Sequence, residues 1–389
     1  MIIKSPLDDD FYKFMMQQAV LHNYPGVMVE YEFKCRNDTD LRPYIKEIQE
    51  EVSNLVALTL SSDEAEKMLA IPFVKEDYID FLYHFHYNPD KYVKIENKNK
   101  KLCVHIKGPW LQTILFECKI LAIISEVYSK HEHLKRLGPD AQCKVGWERF
   151  LAKIKQVEAL PEALEFKFAD FGMRRRFSYS WHDIVIYNLK TMLPKEFVGT
   201  SNVHLAFKHG VKPIGTMAHE WIMAHQSLAR LDIFQRTAFE VWGKEYRADL
   251  GIALSDTVGM KCFLRDFDKF FAMLYKGARH DSADPYWWGD ELIKHYQSLD
   301  INPMEKHAVF SDGLNFDEAI KIAKYFFQRI IRSFGIGTNL TNDMGIIPLP
   351  IVLKMVMCNG WPVAKECNDS GKSMCIDEFH RQMLRRYCG

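Results

Sequence analysis

The stretch HAVFSDGLN, residues 307–315, runs from a short apolar segment into a hydroxyl, a carboxylate and a glycine, and then toward a helix. The same order recurs through the second half of the chain. EFKFADFGMRRR (165–176) leads into WHDIVIYNLK, EFVGTSN (196–202) into VHLAFKHG, and VKPIGTMAHE (211–220) into WIMAHQSLARL, while GIALSDTVG (251–259), KGARHDSADP (276–285) and FGIGTNLTND (334–343) repeat it. Strands alternating with helices imply a parallel sheet, and so many consecutive units predict an α/β fold closed into a (β/α) barrel. Chemistry in such barrels gathers at the carboxyl ends of the strands, where these polar clusters fall. An Asp just before a helix is ordinarily its N-cap, and that is the role of Asp170, Asp256, Asp281 or Asp312 taken singly. Taken together, four acids on one rim call for a metal or a sugar carrying developing positive charge. Arg174, Arg175, Arg176 and Arg279, with glycine turns at Gly313, Gly335 and Gly337, add groups that bind phosphate. The combination points to a phosphorylated sugar with magnesium.

Outward from the barrel the pattern changes. The first 150 or so residues are mixed: a helix over 10–22, the β-rich VMVEYEF, helical stretches through LRPYIKEIQEEVSNLVALTL and DEAEKMLA, and two strands in VKIENKNKKLCVHIKGPW before an apolar helix over 111–128. The tail VLKMVMCNGWPVAKE reads as a hairpin turning at Asn359-Gly360 and is expected to return to this N-terminal unit. Three segments follow: a mixed α/β domain over 1–160, an irregular barrel over 161–345, and a hairpin and helix over 346–389 that pack back on the first.

Composition narrows the class. A chain of 389 residues, 48% hydrophobic, can bury a large core. Lys plus Arg and Asp plus Glu both number 51, with no basic block interleaved with aromatics, so a nucleic-acid partner has little support. MIIKSPLDDD lacks the apolar core of a signal peptide and no run is long enough to span a bilayer, so no membrane partner is expected and the cytoplasm is the default. Nine scattered cysteines without a C-x-x-C pair suit reduced thiols. GKS at 371–373 lacks the first glycine of a phosphate-binding loop, GIGTNL lacks the third glycine of a dinucleotide fingerprint, and HFH (84–86) and HEH (131–133) bring too few ligands to hold a metal by themselves.

Read in order, DDDFYKFMM, FADFGMRRR, FVGTSN, GTMAHEW, SDT, RHDSADP, SDGLN, FGIGTNL and PVAK followed by SGK resemble the nicotinate phosphoribosyltransferase family, over essentially the whole chain. That resemblance implies the irregular-barrel class of phosphoribosyltransferase rather than the Rossmann-like one. It implies transfer of phosphoribose from phosphoribosyl pyrophosphate (PRPP) to nicotinate in NAD salvage, with Mg²⁺ and ATP hydrolysis, the activity classed as a ligase. It implies that His219 is phosphorylated by ATP during turnover. Asp281 and Asp256 would stand near the ribose and its magnesium, with Arg279 on phosphate oxygens. Asp312, Gly313, Gly335, Gly337 and Thr338 would cradle the 5-phosphate and ribose. Tyr12 and Phe171 would stack on the pyridine, and Arg174 with Thr200, Ser201 and Asn202 would receive its carboxylate. In relatives the tyrosine comes from a second subunit, which implies a homodimer. Ala283 departs from the family's glycine in RHDSGDP, where a Cβ restricts backbone approach to a ligand.

The residues themselves add two arguments. A neutral imidazole is a competent nucleophile, and its phosphoramidate is labile enough to be hydrolysed in each cycle. FVGTSN carries no acid to accept from a carboxamide, which favours nicotinate over nicotinamide. The alternatives are nicotinamide or quinolinate phosphoribosyltransferase, a non-catalytic PRPP or nucleotide sensor, and a metal-dependent barrel hydrolase.

Overall fold

In the computed structural model, which describes residues 1–136, 139–247, 249–366 and 373–388, the alternating run VMVEYEF becomes β1 (Met28–Cys35). The polar-centred run after it becomes β2 (Val93–Lys98) and β3 (Lys101–Pro109). Asn99 and Lys100 join them with φ of 52° and 60°, the left-handed pair that a two-residue hairpin requires. The barrel strands are β4 (Phe168–Asp170), β5 (Phe197–Thr200), β6 (Ile252–Leu254), β7 (Gly277–His280), β8 (His307–Phe310) and β9 (Ile331–Ile336). The tail forms β10 (Ile351–Cys358) and β11 (Trp361–Pro362), turned through Asn359 and Gly360 at φ 49° and 78°. Gly371 and Lys372 lie outside the described residues.

Two sheets result. One is antiparallel, in the order β11-β10-β1-β3-β2, with β10 paired to β1 from Val29↔Cys358 to Cys35↔Ile351. The other is parallel, in the order β5-β4-β9-β8-β7-β6. The fold is an irregular (β/α) barrel beside a mixed α/β N-terminal unit, tied together by the C-terminal segment that supplies β10.

Among the described residues, VKPIG is the predicted barrel strand that does not form. Pro213 brings no N–H, so a ladder cannot continue through it. The segment meets β5 at a bridge between Thr200 and Pro213: Ile214 N–H donates to the Thr200 carbonyl at 2.8 Å, and Thr200 N–H to the Lys212 carbonyl at 3.2 Å. Gly199, at φ 142°, admits this approach; a Cβ there would stand 2.1 Å from the Lys212 oxygen. Toward β6, the Thr216 hydroxyl reaches the Ile252 carbonyl at 3.0 Å. The barrel wall is thinnest here, immediately before His219.

Asp8 and Asp10 of DDDFYKFMM hold the N-terminal unit to the barrel, and Asp9 fixes their helix within that unit. Asp8, fully buried, accepts from both terminal nitrogens of Arg176 at 2.7 and 3.0 Å and from the Asn202 amide at 2.7 Å. Asp9 takes the Lys119 ammonium at 2.6 Å, and Asp10 the Ser201 hydroxyl at 2.6 Å. Phe11 N–H donates to the Ser201 carbonyl at 2.7 Å, and the helix Phe11–Asn23 starts from that point. Burial works against the Asp8 charge, but the Arg176 guanidinium and Asn202 outweigh it, so its carboxyl lies well below the usual range. Arg176→Met is expected to lower stability by about 3–5 kcal/mol, because it leaves a buried carboxylate without its cation. Denaturant unfolding of the variant beside the parent measures it, and a loss below about 1 kcal/mol would contradict the clasp.

Candidate active site

His219 is the first residue of the helix His219–Leu228, at the thin part of the barrel wall. Its Nε2 lies 2.8 Å from Asp256 Oδ1 and 3.7 Å from Asp281 Oδ2. Asp256 follows β6 and Asp281 follows β7, so parallel neighbours deliver both acids to one rim. The second oxygen of Asp256 meets the Lys365 ammonium at 2.8 Å. Lys365 arrives from the tail, which is pinned to the barrel: Glu366 N–H donates to the Thr257 carbonyl at 2.8 Å, and Gln226 exchanges two hydrogen bonds with the Ala364 backbone at 2.8 and 2.7 Å.

The charges sort clearly. Burial, seconded by Lys365, pulls the His219 imidazole down to about 4 from 6.5, so it is neutral near pH 7. Burial opposes the charge of Asp256, yet the His219 ring bonded to it and the Lys365 ammonium hold it well below the usual carboxylate range. With an ionised acceptor at 2.8 Å, the proton of the neutral ring belongs on Nε2, which leaves the lone pair on Nδ1. Burial also opposes the charge of Asp281, but Arg279, 3.9 Å away, keeps it low.

A cavity of about 490 Å³ opens beside this cluster. Arg36, Arg174, Arg175, Arg279, Lys354 and Lys365 line it, against the acids Asp281 and Asp312. Phe171, Gly313, Gly337 and Thr338 also line it. A smaller space of about 50 Å³ behind it is lined by Tyr12, Glu117, Arg174, His219, Asp281 and Lys354, among others. Burial and the nearby Lys365 lower Lys354 to about 8, and burial with the adjacent Arg174 lowers Arg175 to about 10. In both, neighbouring positive charge adds to the effect of burial. Such a cavity suits an anion.

Several predicted site residues stand elsewhere. The Thr200 hydroxyl donates to Asp170 at 2.6 Å, Ser201 to Asp10, and Asn202 to Asp8, while Asn202 Oδ1 also caps the helix Val203–His209. The donors expected to receive a substrate carboxylate are therefore occupied by acids of the protein. Arg176 is held by Asp8 in the same way. Asp170 is fully buried, 2.6 Å from His182 Nε2 and accepting from the Gly172 N–H at 2.8 Å, so the rim gathers Asp256, Asp281 and Asp312 without it. None of the four acids read as possible N-caps serves as one: the caps are Asn202, Asp268, Asp284 and Asn315 on the helices nearby. Gly335 faces protein rather than the cavity, since a Cβ there would meet the Phe171 ring at 2.3 Å. Tyr12 lines the smaller space within its own chain, with its hydroxyl 3.3 Å from Cys118 Sγ. Ala283 adopts φ 74°, a conformation that a glycine takes without strain.

Glu117, Lys354 and Lys365 were not legible as site residues. Lys354 left a signal, as one lysine inside the apolar run VLKMVM. Lys365 lay in PVAK without an assigned partner. Glu117 sits in an ordinary amphipathic helix, and only the fold brings it 3.7 Å from Arg174.

Among the described residues, His219, Asp256 and Asp281 form the group able to hold a metal ion, with their ligand atoms within 4.8 Å of one another. Both Asp256 oxygens already have partners. Asp281 keeps partial exposure toward the cavity, and a carboxylate supplemented by ligand oxygens fits magnesium. Among the described residues, no helix is long and apolar enough to cross a membrane.

Residues 166–388 match the nicotinate phosphoribosyltransferase (NAPRTase) family, and residues 7–125 match the NAPRTase N-terminal domain. The chain is 49% identical over 394 residues to the nicotinate phosphoribosyltransferase of Burkholderia mallei (strain ATCC 23344), covering 100% of this chain and 97% of that protein. It is 48% identical over 390 residues to that of Bordetella pertussis, covering 99% and 95%. The crystal structure of nicotinate phosphoribosyltransferase from Vibrio cholerae superposes with a TM-score of 0.94 at 38% identity, over 99% of this chain and 93% of that one. That from Porphyromonas gingivalis gives 0.92 at 34%, over 99% and 100%.

The packing of Phe171 on Gly335 is open to a direct test. Gly335→Ala forces the ring off the cavity wall and is expected to cost about 1–3 kcal/mol, as overpacking does. Thermal unfolding together with a crystal structure of the variant checks both effects, and an unmoved Phe171 at unchanged stability would contradict the packing.

Proposed function

Because this chain belongs to the nicotinate phosphoribosyltransferase family, we propose that it transfers phosphoribose from PRPP to nicotinate, giving nicotinate mononucleotide and pyrophosphate, and couples the transfer to ATP through a phosphohistidine at His219. The single observation that carries the coupling is a buried neutral imidazole, bound through Nε2 to an ionised aspartate, at the edge of a cation-lined cavity. Its lone pair lies on Nδ1, which is the nitrogen that would take the phosphoryl group. Asp256 steadies the ring as its charge changes, and Lys365 keeps Asp256 ionised.

Ribosyl transfer needs little proton movement. The pyridine nitrogen already has a lone pair, so the protein's task is to align it behind the ribose C1. Phe171 offers an aromatic face, and Tyr12 a second from the smaller space. Arg174 is the cation for the nicotinate carboxylate, since Thr200, Ser201 and Asn202 are engaged elsewhere. Arg279 and Lys354 face the phosphates, with Asp312, Gly313, Gly337 and Thr338 at the ribose 5-phosphate end. Magnesium, held by Asp281, would neutralise charge on the departing pyrophosphate. The three chain segments over 1–160, 161–345 and 346–389 serve this site jointly, through Tyr12, the barrel rim, and Lys354 with Lys365. The homodimer implied by the resemblance is a separate question, which light scattering at micromolar concentration decides.

His219→Asn is expected to abolish acid-labile phosphate from γ-labelled ATP while leaving a slower transfer that ATP no longer stimulates. Asp281→Asn should reduce transfer by about 100-fold with or without ATP, as loss of an electrostatic stabiliser does. A His219→Asn protein that still incorporates label would overturn the assignment. Nicotinate should be strongly preferred to nicotinamide; equal efficiency on the two would overturn the role of Arg174.

The pH dependence has a definite sign. Since His219 titrates near 4 rather than 6.5, the ring stays unprotonated as pH falls from 8 to 6. The extent of phosphorylation is expected to hold over that range and to fall only toward pH 4. The unfolded histidine binds its proton first, so this group lowers folding stability between pH 6.5 and 4. Labelling at fixed ATP across buffers measures the first effect, and a midpoint near 6.5 would mean a solvated ring.

A further inference from the structure

We propose that Glu220 is a positioning residue that sets where the imidazole of His219 stands, acting through the buried cluster it forms with Lys13, Tyr31 and Trp110. The need for it begins at the helix start. His219 is the first residue of its helix, and the N-cap is Ala218, which has no side chain to bond the first turn. The restraint that Ser, Thr, Asp or Asn ordinarily supplies is missing. The ring itself is tied through Nε2 to Asp256.

Glu220 supplies a restraint one residue on. Adjacent residues on a helix project about 100° apart, so its side chain leaves the helix in a different direction from the ring, although both residues border the smaller space. Glu220 is 5% exposed. One oxygen accepts from the Tyr31 hydroxyl at 2.5 Å and from the Trp110 indole N–H at 2.6 Å; the other takes the Lys13 ammonium. Lys13 is fully buried and also meets Glu117 at 2.6 Å. The three partners of Glu220 sit on three elements of the N-terminal unit: the helix Phe11–Asn23, β1 and the helix Trp110–Thr113. A barrel residue is thus fixed by groups that the barrel does not own. Reacting groups tolerate little displacement, and a misplacement of about 1 Å can cost on the order of 100-fold in rate.

The inference rests on the reading of His219 as the phosphoryl acceptor, and the test separates the two. Protein labelled with ¹⁵N-histidine is prepared as the parent, Glu220→Gln and Trp110→Phe. Glu220→Gln removes the charge that Lys13 meets; Trp110→Phe removes one donor, leaves that ion pair intact, and remains informative if the first variant folds poorly. In the parent, His219 is expected to show one neutral tautomer, protonated on Nε2. Both variants should show a mixture of tautomers. The rate of phosphorylation should fall by about 10- to 100-fold in Glu220→Gln and less in Trp110→Phe, while ATP-independent transfer in Trp110→Phe, whose side chain does not border the smaller space, changes by less than about 2-fold. An unchanged tautomer signal in both variants, or equal losses in the two rates of Trp110→Phe, would overturn the proposal. A parent that never carries phosphate, but whose tautomer signal is still lost in Glu220→Gln, removes the phosphoryl role of His219 and leaves the positioning role standing.

Discussion

Asp8 is a carboxylate with no access to water, and the junction between the two parts of the molecule is built so that it can remain charged there. An isolated ion in that position would be very costly. Arg176 from the barrel and Asn202 from the loop after β5 neutralise and saturate it, and Asp9 with Lys119 and Asp10 with Ser201 repeat the arrangement beside it. A buried ion pair is weak evidence of stability by itself, because dehydrating two ions offsets much of their attraction. Its geometric demand is strict, however. Asp8 and Asp10 keep their partners only while the N-terminal helix stays seated on the barrel rim, and Asp9 fixes that helix within its own unit.

That placement makes the site composite. The rim of β6 and β7 brings Asp256 and Asp281, the tail brings Lys354 and Lys365, and the N-terminal unit brings Tyr12 and Glu117. The pairing of β10 with β1 is what carries the tail across. Charges so gathered are only partly screened by water, which is why Lys354 and Arg175 lose proton affinity while Asp281 and Asp256 keep their charge. An anionic ligand entering the larger cavity relieves repulsion among cations already held there.

Local chemistry accounts for what could be read directly. The hairpin turn at Asn359-Gly360 follows from the left-handed backbone that those two residues tolerate, and the barrel follows from repeated strand, polar cluster and helix. Asp256 and Asp281 were legible because they follow the strands of consecutive units, and His219 because GTMAHEW resembles a family motif. The strand expected in VKPIG failed at Pro213, where the missing N–H outweighed apolar pattern.

What one chain segment cannot specify is which partner a polar side chain will meet. Ser201 and Asn202 have the right donors for a substrate carboxylate, and the triple arginine has the right charge for phosphate. The fold instead gives Ser201, Asn202 and Arg176 to aspartates 168 to 194 positions earlier. Gly335 suits a phosphate turn by type, yet it faces Phe171. Sequence alone determined most of the elements and the barrel, because those depend on periodicity and on residue type at strand ends, and the resemblance of its motifs singled out His219, Asp256 and Asp281 as candidates. Tertiary structure alone decided which donors remain for a ligand and that Lys365, Lys354 and Glu117 belong to the site. Hydrogen bonds and charges saturate by proximity in space, and that proximity is set by the packing of segments distant in the chain.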